Sequence, residues 1–497
     1  MKKFIFTTAL GTALLFLTGL AAVPLASAQL TNIELLGKYV FFDKISSPSR
    51  MACVTCHQPD TGGTGSVAGV NLHQVAITGA NPHTVGNLKP PTNAYASFIP
   101  PFQPCAAGVP GLCGGNFWNG RAEGNISALF PGATKHIGDE IFYTTEGTYM
   151  PDYPLIYPNV LAYAVHFGGT ADQALNPMPN PVEQNIDRQG VCRHVASEKY
   201  GKLYKLVWGI DIDCRDVPVA VSAPDVDTPP EKAFDISFKR LMLAVCAWQA
   251  SADLNSFSSK RDIALAADAD GKFHLDGFTA QENLGHDLFY NRLPIPFIPE
   301  GNFNVRPFPD LPITNCSFCH MSGPSNVAPG ELGTDPEERY TDDAYHNIGT
   351  PPNPEIPGYP VPNAGLAGHT GIAAHSGFHK TPTLRNVDKR KGEGFIKAYT
   401  HNGWFKSMES IVHFYNTAFI GNPANGKTLC PEGTTEKDAL DQNCWPAPEQ
   451  QGPPPFGPPI PLLLGNLGLT PDQEAALVAY LKTLTDTYTP KPPRPYK

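Results

Sequence analysis

Apolar residues recur at helical spacing in four segments of the chain, and such spacing predicts amphipathic helices. The segments are 34–44 (ELLGKYVFFDK), 235–254 (DISFKRLMLAVCAWQASADL), 279–292 (TAQENLGHDLFYNR) and 470–486 (TPDQEAALVAYLKTLTD). The last segment begins with Thr470 in the N-cap position, followed by Gln473 where a capping box requires it. Because sustained strand alternation is scarce, the pattern predicts a mostly α protein of short helices joined by long loops.

The first residues of the chain form a different apolar pattern. Lys2 and Lys3 precede an apolar stretch that runs through Leu17, and the small residues Ala26-Ser27-Ala28 follow it. This order is typical of a secretory signal peptide. We therefore expect residues 1–28 to be removed and the mature chain to begin at Gln29 in the bacterial periplasm. No later apolar run reaches the length of a membrane span, so none is expected.

Composition adds two constraints. Proline accounts for 52 of 497 residues, about twice the average share of roughly 5%. The prolines cluster near 354–362 and 451–461, which we interpret as ordered, extended loops, with disordered linkers as the alternative. The net charge is −10 and no long basic run occurs. A nucleic-acid partner is therefore not expected, whereas an acidic surface suits a small basic electron donor.

The chain has 11 cysteines, of which seven lie outside the two motifs described next. An oxidising compartment favours disulfides among them. Pairing of nearest neighbours predicts Cys105–Cys113, Cys192–Cys214 and Cys430–Cys444, although six cysteines allow 15 connectivities. The seventh, Cys246, lies in the apolar run LMLAVCAW, so we expect an unpaired thiol in the core.

Two C-x-x-C-H motifs carry the chemistry of the chain. They consist of Cys53, Cys56 and His57, and of Cys316, Cys319 and His320. In such a motif the two thiols attach a haem covalently, and the histidine becomes the proximal iron ligand. A zinc site would need a second ligand pair at suitable spacing, and a redox dithiol would need a βαβ pattern. The sequence therefore predicts two covalently bound haem c groups.

Each half of the chain repeats the order helix, loop and haem motif. Segment 34–44 precedes the first motif, and segment 279–292 precedes the second after a proline-rich loop. We expect two cytochrome c-like haem domains with long Pro/Gly-rich loops and insertions. The Pro/Asp-rich stretch SAPDVDTPPEK suggests a boundary near residue 230, which gives an N-terminal domain at 29–230 and a C-terminal domain at 231–497.

Five further blocks keep their order around the two motifs, and together they resemble the dihaem cytochrome c peroxidase family, including its MauG-type branch. In the N-terminal half these are NFWNGRAEG (116–124) and ADQALNPMPNPVEQN (171–185). In the C-terminal half they are HKTPTLRNV (379–387), YTHNGWFKSMESIVHFYN (399–416) and LTPDQEAALVAYLKTLTD (469–486). Residues 60–115, 124–170 and 187–235 are similar to the family to a lesser degree and look like insertions.

The resemblance implies roles for three residues near the N-terminal haem. Glu183 matches the family's distal-pocket glutamate, which moves a proton from one peroxide oxygen to the other. Gln173 matches a pocket glutamine that hydrogen-bonds bound ligand, and Trp118 matches the tryptophan between the haems, which relays an electron. The ordinary alternatives are a surface glutamate and a core tryptophan.

Tyr415 is the most discriminating position for the C-terminal haem. The peroxidase branch carries a methionine ligand at the matching site, whereas the MauG-type branch carries a tyrosine, which as an anionic ligand stabilises oxidised iron. The resemblance therefore implies that Tyr415 ligates the iron of the second haem. The alternative is that Tyr415 is a core aromatic residue and that Met408 is the ligand.

The sixth ligand of the first haem is left open by the sequence. His83 lies near the loop that carries a removable histidine in some family members, and His73 is a second candidate; either is a loop histidine otherwise. Met150 or Met178 as the sixth ligand would instead indicate a passive electron carrier.

The family resemblance also implies a calcium ion between the domains and a homodimer. The carbonyl ligands of calcium would fall at Ile396 and Ala398, and an amide ligand would fall near Asn87. The family's usual threonine and proline are absent at these positions, and no acidic cluster replaces them.

We therefore predict a periplasmic dihaem c-type peroxidase. It would reduce hydrogen peroxide at the N-terminal haem with electrons that a small redox protein passes through the C-terminal haem. One alternative is a MauG-type enzyme that oxidises residues of a partner protein or an organic substrate. The other is a dihaem electron carrier without catalysis.

Overall fold

The computed structural model describes residues 29–105, 111–124, 166–219, 232–294, 306–322, 331–359, 362–418, 422–450 and 464–497. This part of the chain is rich in helices, and its strands form only two-stranded sheets. The fold is therefore mostly α, as the hydrophobic pattern predicts. The predicted signal peptide, Met150 and the proline-rich stretch 451–461 lie outside the described residues.

The helices vary from one to five turns. Those of six residues or more are Asn32–Phe42, Ala68–His73, Gly169–Ala174, Arg188–Ser197, Lys202–Trp208, Ala233–Ala250, Lys260–Ala267, Ala280–Tyr290, Met408–Thr417, Glu436–Asp441 and Pro471–Lys482. Single turns are formed by Cys53–Cys56, Cys316–Cys319 and Ala367–Thr370. Among the described residues, no helix has both the length and the apolar character that a membrane crossing requires.

The first haem motif follows a helix that crosses a long helix from later in the chain. Helix Asn32–Phe42 begins with a capping box between Thr31 and Glu34, and it packs against helix Ala233–Ala250. At the crossing stands Gly37, where a Cβ atom would overlap the backbone carbonyl of Ala244. The missing side chain therefore lets the two helix backbones approach closely.

The second haem motif follows a crossing of the same kind. Helix Ala280–Tyr290 packs against helix Pro471–Lys482, and Gly285 stands where a Cβ atom would overlap the carbonyl of Ala476. The predicted capping box of Thr470 and Gln473 is present. In each half of the molecule, therefore, the helix that precedes the haem motif packs against a helix from the end of the same half.

Two large hydrophobic cores surround these crossings. The buried residues of the first core run from Leu36 to Leu254, and those of the second run from Ala264 to Leu484. Helix Ala233–Ala250 lies in the first core, although the predicted boundary at residue 230 assigns it to the C-terminal domain. Because this helix is buried against Asn32–Phe42, the change between the cores falls after Leu254.

The three predicted disulfides are present, Cys105–Cys113, Cys192–Cys214 and Cys430–Cys444. Each closes a short loop, and Cys192–Cys214 fastens the segment that follows helix Lys202–Trp208 to helix Arg188–Ser197. Cys246 is a free, fully buried thiol in the first core, as predicted.

Candidate functional site

The first haem motif forms one helical turn, Cys53–Cys56, that ends at His57. The Nδ1 atom of His57 lies 2.9 Å from the carbonyl oxygen of Gly63. Gly63 has a positive φ of 73°, and a Cβ atom there would overlap the Asn93 side chain. A carbonyl that accepts from Nδ1–H fixes the tautomer and leaves Nε2 available to bind a metal.

The second haem motif repeats this arrangement. The turn Cys316–Cys319 ends at His320, and the Nδ1 atom of His320 lies 3.0 Å from the carbonyl oxygen of Tyr340. Both histidines are therefore oriented by a backbone acceptor that lies further along the chain.

The four motif cysteines are free, whereas six other cysteines form disulfides. Burial raises the pKa of Cys53 to about 11, that of Cys56 to about 12 and that of Cys316 to about 11. A redox dithiol depends on a lowered thiol pKa, so these sites do not match that alternative. Unpaired thiols next to an oriented histidine fit the attachment of a c-type haem at both motifs.

Glu183 lies beside the first motif. Its charge contributes to the raised pKa of both Cys56 and Cys53, and the amide of the neighbouring Gln184 lies 3.5 Å from the Cys53 sulfur. The Asn180 amide donates to the Glu183 carboxylate at 2.8 Å. Burial raises the pKa of Glu183 to about 7, although Arg121 and Asn180 act in the opposite direction. A carboxyl group with this pKa both accepts and donates protons near neutral pH.

Gln173 lies in helix Gly169–Ala174 and is partly buried. Its carbonyl accepts from the amide of Asn176 at 3.2 Å. The described contacts assign no hydrogen-bonding role to its side-chain amide, so its place in the pocket stays a prediction.

Trp118 lies between the two hydrophobic cores, in a region that we call the seam. The seam also contains Lys89, Lys397 and His401. Its indole N–H donates to the carbonyl of Lys89 at 2.7 Å, and its own carbonyl accepts from the amide of Lys380 at 2.9 Å. The ring is 8% exposed and lines a cavity of ≈ 250 Å³. The same cavity is lined by Cys316 and His320. Trp118 therefore lies between the loop that follows the first motif and the second motif itself.

Two histidines beside Trp118 were not assigned a role by the sequence. The rings of His379 and His401 stack with centroids 3.4 Å apart and 8° between their planes, and the His401 ring lies 6.3 Å from that of Trp118. The Nε2 atom of His401 is 2.9 Å from the buried carboxylate of Glu449. Both histidines lie in sequence blocks that resemble the family, and this resemblance could have pointed to them. No feature of the sequence pointed to Glu449.

A second group that the sequence missed adjoins Cys319. The Nε2 atom of His346 lies 2.8 Å from the carboxylate of Asp342, and one ligand-type atom of each lies within 4.8 Å of the Cys319 sulfur. His346 pairs with His379 across a short antiparallel sheet. This sheet therefore connects the surroundings of the second motif to the stacked histidines.

Tyr415 and Met408 lie on helix Met408–Thr417, two turns apart. Both line the cavity that also contains Cys316 and His320. Burial raises the pKa of Tyr415 above its ordinary value, so a phenolate here requires a neighbouring cation such as ferric iron. The geometry brings both predicted ligand candidates to the second motif.

The other ligand candidates lie in different surroundings. His83 is exposed. The His73 side chain is 73% exposed, and its Nδ1 atom lies 3.8 Å from the carboxylate of Glu355. Met178 is 1% exposed and belongs to the first hydrophobic core.

One of the predicted calcium ligands already accepts a hydrogen bond, and another is exposed. The carbonyl of Ile396 accepts from the Asn71 amide at 2.9 Å, and Asn87 is exposed. Lys397, between Ile396 and Ala398, has a buried side chain. Calcium takes 6–8 oxygen ligands and commonly uses carboxylates, so these residues do not fit the ion.

Comparison with known proteins gives consistent results. The sequence profile of the family described as "Di-haem cytochrome c peroxidase" matches residues 31–270. The chain is similar to the methylamine utilization protein MauG of Paracoccus denitrificans, with 26% identity over 464 residues that cover 91% of this chain and 88% of that protein.

The fold is similar to that of the diheme peroxidase BthA from Burkholderia thailandensis. The TM-score is 0.57 with 22% identity, and the match covers 93% of this chain and 88% of that chain. A BthA variant in which a tyrosine is replaced by methionine gives a TM-score of 0.57 with 21% identity, over 92% of this chain and 86% of that chain.

Proposed function

We propose that this chain is a di-haem oxidoreductase of the di-haem cytochrome c peroxidase family, whose sequence profile matches residues 31–270, and that it acts as a periplasmic c-type peroxidase. It reduces hydrogen peroxide at the haem of His57, with electrons from a small redox protein that pass through the haem of His320. The observation that carries this proposal is Glu183, a buried carboxyl group beside the first motif with a pKa raised to about 7.

The motif residues hold the cofactors in this proposal. Cys53 and Cys56 bind one haem and Cys316 and Cys319 bind the other, through their free, half-buried thiols. His57 and His320 bind iron through Nε2 because their Nδ1 atoms face backbone carbonyls. When bound, haem supplies the iron that coordinates peroxide and the electrons that reduce it.

Glu183 manages the protons. Cleavage of the O–O bond requires that a proton leaves one peroxide oxygen and arrives at the other. A carboxyl group with a pKa of about 7 takes up the first proton as carboxylate and returns it as carboxylic acid. Asn180 holds one carboxylate oxygen at 2.8 Å, which fixes the direction in which the group points.

Trp118 connects the two sites. It is buried, its indole N–H is bound by a backbone carbonyl, and it lines the cavity that reaches the second motif. An indole ring in this position shortens the path that an electron takes from the haem of His320 to that of His57.

The test is peroxide turnover by Glu183→Gln, measured with ferrocyanide as electron donor. Loss of one acid–base group lowers the rate by about 10²–10⁴-fold, while haem content and absorption spectra stay unchanged. The matched control is Glu432→Gln, which changes an exposed glutamate in the second half and keeps the wild-type rate. Equal rates for Glu183→Gln and wild type, with both haems intact, would show that Glu183 moves no proton.

Tyr415 favours a second candidate function, oxidation of residues in a partner protein as in the MauG-type branch. It lines the cavity of the second motif, where the family resemblance implies a tyrosine ligand in that branch. The two functions differ in their use of a small donor. A peroxidase oxidises ferrocyanide in proportion to the peroxide consumed. An enzyme of the second kind takes its electrons from the partner protein, so it consumes peroxide continuously only when that protein is added, and ferrocyanide stays largely reduced.

A further inference from the structure

Three lysine side chains are buried in the seam between the two hydrophobic cores. Lys89, Lys389 and Lys397 are 8%, 7% and 3% exposed. The amine of Lys397 donates to the carbonyl oxygens of Asn386 at 2.8 Å and of Lys389 at 3.1 Å. A Cβ atom at Gly62, in the loop after the first motif, would lie 3.1 Å from this amine. Lys397 therefore reaches from the second half of the chain to the loop of the first.

The same seam is where the family resemblance implies a calcium ion. The two predicted carbonyl ligands, Ile396 and Ala398, are the sequence neighbours of Lys397. A calcium ion needs oxygen acceptors on all sides, whereas Lys397 brings N–H donors that occupy carbonyl oxygens. The Asn71 amide is a further donor, bound to the Ile396 carbonyl at 2.9 Å. N–H hydrogen-bond donors therefore occupy the carbonyl oxygens in the seam.

Lys89 and Lys389 add further donors to the seam. The amine of Lys89 donates to the hydroxyl of Thr64, in the loop after the first motif, at 2.7 Å. The amine of Lys389 donates to the backbone carbonyl oxygen of Asp486 at 3.1 Å. Lysine side chains therefore supply N–H donors where a calcium ion would need oxygen ligands.

We propose that the side-chain amine of Lys397 takes the structural place of a metal ion between the two haem-binding halves, so that the protein assembles without calcium. The amine carries at least two N–H donors whether or not it is protonated, so both carbonyl contacts persist in either form. This role of Lys397 in assembly is independent of the peroxidase reaction.

The experiment compares the haem-loaded wild type with Lys397→Met and with the control Lys482→Met. Methionine keeps the length of the side chain and removes its donors. Lys482 is 48% exposed and pairs with Glu409 at 3.3 Å on the surface. Bound calcium is measured by mass spectrometry of the metal after dialysis, and thermal unfolding is followed with EGTA and with calcium chloride.

We expect that the wild-type protein holds no stoichiometric calcium and that EGTA leaves its unfolding midpoint unchanged. Lys397→Met unfolds several degrees lower, and Lys482→Met unfolds like the wild type. One calcium ion per wild-type chain, with a lower midpoint after EGTA, would overturn the proposal, and this result is decisive even if Lys397→Met does not accumulate. A wild-type midpoint for Lys397→Met would overturn it as well.

Discussion

Replacement of Glu183 by glutamine is expected to make the protein more stable while it removes activity. The carboxyl group is buried beside the first motif, which raises its pKa from 4.5 to about 7. Each pKa unit corresponds to about 1.4 kcal/mol of difference between the two protonation states. Burial of the ionised group therefore lowers the free energy of unfolding by about 3–4 kcal/mol at most.

The sign of the pH dependence follows from the two pKa values. Below pH 4.5 Glu183 is protonated in both the folded and the unfolded protein, and the cost is absent. Between pH 4.5 and about 7 the unfolded chain releases the proton while the folded protein keeps it, so wild-type stability falls as pH rises. Above about pH 7 the full cost is present.

Glutamine has the shape of the protonated acid and carries no charge at any pH. The free energy of unfolding of Glu183→Gln should therefore equal that of the wild type at pH 4 and exceed it by up to about 3–4 kcal/mol at pH 8. The assay is guanidinium unfolding of the haem-loaded proteins across this range, with Glu432→Gln as the control whose difference from wild type does not change with pH. A gain in stability that is equal at pH 4 and pH 8, or a loss at pH 8, would show that the charge of Glu183 does not destabilise the folded protein.

Three further predictions concern the seam, the helix crossings and the second haem. Trp118→Phe should keep both haems yet slow the reoxidation of the second haem after peroxide is added to half-reduced protein, as followed by stopped-flow absorbance; an unchanged rate would remove Trp118 from the electron path. Gly37→Ala should destabilise the protein by about 3 kcal/mol or more, because its Cβ atom overlaps the facing backbone. In the same denaturation assay Gly69→Ala, whose Cβ atom meets nothing within 4 Å, should be neutral or gain up to about 1 kcal/mol. Tyr415→Phe should change the electron paramagnetic resonance signal of the second haem and Met408→Leu should not; the reverse result assigns the ligand to Met408.

Features that depend on nearby residues were predictable from the sequence. The haem motifs, the capping box of Thr470 and Gln473 and the three disulfides all join residues that lie close together in the chain. Short loops favour pairing of nearest neighbours because closing them costs little chain entropy. The four helical segments were predicted within a few residues because their apolar faces are continuous.

Features that depend on packing between distant segments were not predictable. The boundary at residue 230 separates helix Ala233–Ala250 from its own core because the crossing at Gly37 joins residues about two hundred positions apart. The carboxylate of Glu449 reaches His401 across 48 residues, and no local pattern marks it. The amine of Lys397 would be assigned to the surface from its residue type, since buried lysines are rare.

Electron paramagnetic resonance of the oxidised protein, before and after one equivalent of hydrogen peroxide, decides whether peroxide is reduced at an open haem beside Glu183. We expect a high-spin ferric signal beside a low-spin one, and loss of the high-spin signal when peroxide is added. Two low-spin signals that peroxide leaves unchanged, both in the oxidised protein and after one-electron reduction, would contradict this expectation and indicate an electron carrier.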